Sequence, residues 1–239
     1  MASSGSSSSS SGADWNAPQQ AGLNQLRALA SQAGLGEQHT QFLALVAKGE
    51  SGLNNLRGLG IPDRFPPGTI PTKNAGQLGV NEARAAERAY ASIRDRFPGC
   101  PWPAADYGFG SGGWFAFLPA YALAQFPKGS PLRCLPPAAV FDPVASFCMA
   151  IGFARGLQGW SQFKVVPTVL NLRGMWGRPS QGGKPERLQK IRGFYQNQAR
   201  AIGLPGSFVD QQIARFPGWN LEELYYRLGG KPPQGGDIA

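Results

Sequence analysis

Between His39 and Asn54 the chain reads His-Thr-Gln-Phe-Leu-Ala-Leu-Val-Ala-Lys-Gly-Glu-Ser-Gly-Leu-Asn. Leu43 and Val46 recur at helical spacing, and Glu50 falls on the same face, seven and four residues beyond them. A helix from about His39 therefore carries Glu50 in its last turn, and Gly52 is placed to stop it. This sets a carboxylate on the core side of a helix, near the negative end of the helix dipole. Desolvation and the dipole both disfavour the charged form, the direction a general acid working near neutral pH requires. The plainer alternative is a solvated side chain, or a structural partner, at the end of an amphipathic helix.

Around this helix the chain is broken often, by 33 Gly and 21 Pro, which predicts short helices joined by long ordered loops. Residues 1–18 are a Ser/Gly-rich tail that cannot bury apolar surface and are expected to be disordered. Leu23, Leu26, Leu29 and Ala33 mark a first amphipathic helix ending near Gly34. The Gly/Pro-rich run between Leu53 and Val80 predicts an irregular lobe with a small hairpin. Asn81 caps an expected helix with a stripe of Ala86, Tyr90, Ile93 and Phe97. Asp142 followed by Pro143 opens another, with Val144, Phe147, Cys148, Ile151 and Arg155 on one side of a central, mostly buried helix. A short helix is expected from Pro167 to about Met175. A basic amphipathic one follows, with Leu188, Ile191, Tyr195 and Ile202. Ser207 with Asp210, and Asn220 with Glu223, resemble capping arrangements for two more. The expected fold is mainly α: a helical core around the Glu50 helix, a small irregular or β lobe and C-terminal helices. The boundaries read as a tail over 1–18, a domain over 19–182 and a helical extension over 183–239.

The formal charge of +9 favours polyanionic partners: nucleic acid, an anionic membrane, or a cell wall bearing carboxylates and phosphates. No stretch approaches the length of a transmembrane helix, and residues 1–12 lack the basic and apolar regions of a secretory signal. With a single histidine, His39, neither a His-based metal site nor a Ser-His-Asp triad is expected, and no metal or cofactor is called for. Of the three cysteines, Cys148 sits in an apolar helix and reads as a small core residue. A bridge between Cys100 and Cys134 is open but not dictated by the sequence. The glycine run Gly108 to Gly113 lacks the Lys-Ser/Thr ending of a phosphate loop. No helix-turn-helix, zinc or RNA-recognition motif supports a nucleic-acid reading.

Glu50-Ser51-Gly52-Leu53-Asn54 at the end of an apolar helix resembles the catalytic Glu-Ser-Gly-Phe-Asn of lytic transglycosylases and goose-type lysozymes. Gly113-Trp-Phe-Ala-Phe-Leu-Pro119 resembles that family's sugar-cleft segment, and Phe141-Asp-Pro-Val-Ala-Ser146 its next helix start, in the same order. The departures are Ala116 where the family has glutamine, a long interval between Glu50 and Gly113, and Leu170 to Gly177 in place of a later Ala-Tyr-Asn-Ala-Gly motif. The resemblance implies a lysozyme-like α+β fold and cleavage of the β-1,4 bond between N-acetylmuramic acid and N-acetylglucosamine. Glu50 would be the acid. Asp63 or Asp106 would be a second carboxylate if the product is hydrolytic. Ser51, Tyr107, Gly113, Trp114 and Phe115 would line the sugar site, Trp114 being the better contact candidate and Phe115 as readily a core filler. Partners would be peptidoglycan glycan strands and other virion proteins, since a phage particle or host lysis is the simplest route to the wall. The competing reading is a catalytically dead wall-binding or virion protein of the same fold.

Overall fold

The computed structural model describes residues 17–53, 88, 91, 100, 112–159, 167–176 and 184–233. Within these the protein is mainly helical. The seven α-helices, in chain order, are α1 (Ala17–Ala33), α2 (Glu37–Ser51), α3 (Pro119–Leu123), α4 (Pro143–Gln158), α5 (Val169–Trp176), α6 (Pro185–Ala201) and α7 (Leu221–Arg227). Single 3-10 turns run over Pro131–Cys134, Pro137–Phe141 and Gly206–Asp210. Among the described residues, β structure is confined to two isolated antiparallel bridges, Gly112 with Phe117 and Thr168 with Gln212. The lobe expected after Leu53 and nearly all of the helix expected from Asn81 lie outside the described residues.

Local chemistry explains where the helices begin and end. α1 presents Leu23, Leu26, Leu29, Ala30 and Ala33 to the core at helical spacing, and the chain leaves it through Gly34 at φ 75°. α4 starts as its sequence requires: the Asp142 carboxylate accepts the Ala145 N–H at 2.7 Å, with Pro143 at the first position. Every residue from Ala145 to Gly152 is buried, so α4 is covered on all sides and forms the centre of the fold. α7 is capped by Asn220, which accepts the Glu222 N–H at 3.0 Å and donates to the Glu223 carboxylate at 3.2 Å. The parallel expectation for Ser207 and Asp210 is corrected. That segment makes one 3-10 turn after Pro205, because the Asp210 carboxylate pairs with Arg192 at 2.7 Å instead of turning back onto its own backbone.

The end of α3 is secured by a buried cation. Arg133, 6% exposed, donates from Nε to the Phe126 carbonyl at 2.8 Å and from Nη2 to the Ala124 carbonyl at 3.0 Å. The Ala124 carbonyl belongs to the C-cap, where a helix end leaves carbonyls without intrahelical partners; the Phe126 carbonyl lies in the turn that follows.

The C-terminal helices belong to the same core as the rest. Leu188, Tyr195, Ile202, Phe208, Ile213, Phe216, Leu221 and Leu224 join one continuous apolar cluster with Leu43, Phe147 and Leu172. The segment linking α6 to α7 is stitched to two other helices, α4 and α2. Gln158 of α4 donates to the Ala214 carbonyl at 2.9 Å and accepts the Phe216 N–H at 2.8 Å. Gln38 of α2 donates to the Gln212 carbonyl at 2.7 Å, and Arg155 of α4 donates to the Trp219 carbonyl at 2.9 Å. The boundary expected at residue 183 therefore divides no two cores.

Cys100 and Cys134 form a disulfide across a sequence separation of 34, and Cys148 is free and buried. Closing a loop of that length removes about 3–4 kcal/mol of chain entropy from the unfolded state. Cys134→Ser is expected to lower unfolding stability by that amount in urea titrations under oxidising conditions. Under reducing conditions wild type and variant should converge; a gap that persists would show that the loss comes from packing at Cys134.

Candidate functional site

α2 delivers Glu50 as the sequence predicts. Its apolar middle, Phe42 to Ala47, is buried, which fixes the helix, and Gly52 ends it in the left-handed conformation at φ 67°. Leu53 follows at φ 63°, fully buried, with its N–H donating to the Ala47 carbonyl at 3.1 Å. A branched side chain in this region costs roughly 1–2 kcal/mol. The burial of Leu53 offsets that, and the double left-handed step turns the chain sharply just beyond Glu50 and Ser51.

Ser51 joins this helix end to the second motif. Its hydroxyl lies 2.8 Å from the Trp114 carbonyl and 3.1 Å from the Ala47 carbonyl, so its one proton is held between two acceptors. The second motif is itself a tight turn. Gly112 and Phe117 exchange backbone hydrogen bonds at 3.1 and 2.9 Å, with Gly113 at φ 72° and Ala116 at φ 49° inside. Two of the three sequence motifs thus meet: Glu50-Ser51 and Gly113-Trp114 are neighbours in space. The third, Asp142 to Ser146, opens α4 behind them; a Cβ on Gly113 would lie 3.5 Å from Ser146 Oγ.

The aromatic residues of the turn serve differently from expectation. Trp114 is 0% and Phe115 1% exposed. The turn folds both rings inward. Phe115 and Phe117 stand 5.5 Å apart, and each lies within 6 Å of the Trp176 ring (5.8 and 5.7 Å), which Phe153 and Phe42 also contact. Burying rings of this size stabilises by about 1.5–3 kcal/mol each, and an exposed binding face would forgo that gain. Trp114 as a flat sugar-contacting face is therefore corrected, and Phe115 is a core filler. Gly113 likewise serves packing: a Cβ there would strike the Val140 carbonyl. Asp63, Asp106 and Tyr107 lie outside the described residues.

Sequence reading missed the group that meets Glu50. Arg173 Nη2 of α5 stands 2.8 Å from Glu50 Oε1, the arginine side chain 5% exposed and the glutamate 24%. The carboxylate is thus matched by a cation buried behind it, where apolar surroundings were expected. The Arg173 Cζ lies 4.7 Å from the centre of the Tyr195 ring of α6, within cation–π range. Gly49 leaves the space for this approach, because a Cβ there would collide with Arg173 Nη2 and sit 2.7 Å from Gln198 Oε1. The available signal was an arginine set among Val169, Leu172 and Trp176 at helical spacing, which predicts a buried charge in need of a partner without saying which.

Among the described residues, no three His, Cys, Asp or Glu side chains gather as a metal-binding group, and no helix is long and apolar enough to cross a membrane. Comparison with protein-family models, with curated proteins and with solved structures finds no match to this chain.

Proposed function

We propose that the chain is a peptidoglycan-cleaving glycosidase, similar to lytic transglycosylases and goose-type lysozymes, with Glu50 as the general acid. The observation that carries this reading is the Ser51–Trp114 hydrogen bond. It brings the Glu-Ser-Gly helix end and the Gly-Trp-Phe turn, distant in sequence, to one place beside a partly exposed carboxylate. The reaction that suits this arrangement starts with proton transfer from Glu50 to the oxygen between N-acetylmuramic acid and N-acetylglucosamine. The C–O bond breaks with its electron pair going to that oxygen, and positive charge develops on the sugar ring. In a transglycosylase the sugar's own 6-hydroxyl then attacks the anomeric carbon and returns its proton to Glu50. In a lysozyme, water attacks with help from a second carboxylate. This acid–base route needs no metal or cofactor. The exposed basic residues Lys190 and Arg200 on α6 and Lys184 at its N-cap suit the acidic polymers of a cell wall, and delivery with a phage particle would bring the protein there.

A second reading, a wall-binding or virion protein with a silent site, is favoured by two observations. The acid candidate is ion-paired by Arg173, and Ala116 occupies the place of the family's cleft glutamine. Digestion of purified sacculi, with the released fragments identified by mass spectrometry, separates the two. Anhydro-muropeptides are expected from a transglycosylase and reducing-end muropeptides from a lysozyme. Binding to sacculi with no released fragment would establish the silent module.

A further inference from the structure

The Glu50 carboxylate is met by a side chain from another helix, Arg173 of α5. Its Oε1 is met by a guanidinium that is nearly buried while the carboxylate is partly open. We propose that Arg173 is the positioning residue for Glu50 and that Tyr195 of α6 holds Arg173 in turn, which makes the C-terminal helix part of the acid site. This proposal rests on the glycosidase reading.

Three observations converge on it. First, the contact is made by Nη2 to Oε1, and among the described residues Arg173 Nε is buried with no hydrogen-bond partner. Nε and Nη2 of a guanidinium carry parallel N–H bonds, the fork that takes a carboxylate by both oxygens. A buried donor left idle beside a half-engaged carboxylate calls for an explanation. Second, the other polar group pressed over Gly49, Gln198, also has a buried atom without a partner among the described residues, Oε1. The guanidinium thus lies among polar groups that its resting contact does not use up. Third, the Tyr195 ring covers the guanidinium from the side of α6, and Gly49 lets it pass close over α2.

The chemistry follows from this geometry. With Oε1 held from behind, Oε2 is the oxygen left to carry the proton to the glycosidic oxygen. When that proton leaves, the carboxylate becomes a full anion beside the nearly buried guanidinium. Arg173 then compensates the charge, and a small rotation of the carboxylate engages the idle Nε as a second donor. When the 6-hydroxyl or water returns a proton to Glu50, the second contact is released. Arg173 touches no substrate atom in this scheme; it sets which oxygen acts and steadies the group between its two protonation states.

The test is steady-state cleavage of soluble peptidoglycan glycan strands by the full chain, its Arg173→Lys and Tyr195→Leu variants, and Tyr195→Phe, each checked by circular dichroism and melting. Arg173→Lys keeps the charge but loses the fork and is expected to lower kcat about tenfold or more, equivalent to one lost charge-assisted contact, with KM within about twofold. Tyr195→Leu should show the same split more weakly, and Tyr195→Phe, which keeps the ring, should match wild type. Folded Arg173→Lys and Tyr195→Leu that both cleave like wild type would overturn the positioning role and leave the glycosidase reading intact. An inert wild type would reject that reading and the proposal with it. A fall in KM-limited binding with kcat unchanged would assign Arg173 to substrate binding and overturn the proposal as stated.

Discussion

Glu50→Gln is expected to bind sacculi as wild type does and to release fragments about 10²–10⁴ times more slowly, the usual loss when a general acid is removed. The amide matches the carboxylate in shape but has no proton to give at the strength the glycosidic oxygen requires. Its oxygen can still accept from Arg173 Nη2, so the 2.8 Å contact has a neutral successor. The arginine nonetheless loses its counter-charge. Truncating one partner of a fully buried pair costs about 3–5 kcal/mol, but here the carboxylate side is 24% exposed, and Tyr195 still covers the guanidinium. A drop in melting temperature is therefore expected, short of unfolding. Rates should be compared well below the variant's own midpoint, with binding to sacculi measured on the same preparation. Cleavage by Glu50→Gln within about threefold of wild type would remove Glu50 from the acid's role.

What could be read in advance was what neighbouring residues decide. Gly52 stops α2, Asp142 and Pro143 start α4, Asn220 starts α7, and the all-apolar run after Asp142 places α4 at the centre. Each of these rests on interactions within one turn of helix, where sequence spacing and spatial contact coincide. The readings that failed depend on groups brought from elsewhere. Asp210 turned to Arg192 of α6, so Ser207 opened no helix. Phe115 was taken inward because Phe117 and Trp176 built a place for it, Trp114 packs edge-on to Phe115 and close to Gly22 of α1, and nothing in Gly-Trp-Phe-Ala-Phe reveals either place. Glu50 was located correctly on α2, but its electrostatic partner came from α5, steadied by α6. No periodicity within α2 could have shown it. The candidate site was thus legible in its backbone frame and illegible in its charge, because the frame is local and the charge is tertiary.

Gly113→Ala is expected to destabilise the protein by about 2–5 kcal/mol, a large share of the roughly 5–15 kcal/mol that holds a typical domain together. Two costs combine. The residue sits at φ 72°, where a Cβ costs roughly 1–2 kcal/mol. That Cβ would also strike the Val140 carbonyl, a backbone atom that no side-chain rotation can move aside, and overpacking of this kind costs about 1–3 kcal/mol. Gly34→Ala is the matched control. It has φ 75°, but its Cβ would meet nothing within 4 Å, so only the conformational part should appear, roughly 1–2 kcal/mol. Urea unfolding of both variants measures the difference, and equal losses would show that the turn does not press on Val140. The position also bears on the site. Gly113 shapes the turn whose Trp114 carbonyl accepts from Ser51 at 2.8 Å, so relief of the clash by movement of the turn would pull on the residue next to Glu50. Gly113→Ala should therefore lose stability and cleavage together, even in the fraction that remains folded. Glu50→Gln, by contrast, should lose cleavage far out of proportion to stability, and that contrast separates the scaffold of the site from its chemistry.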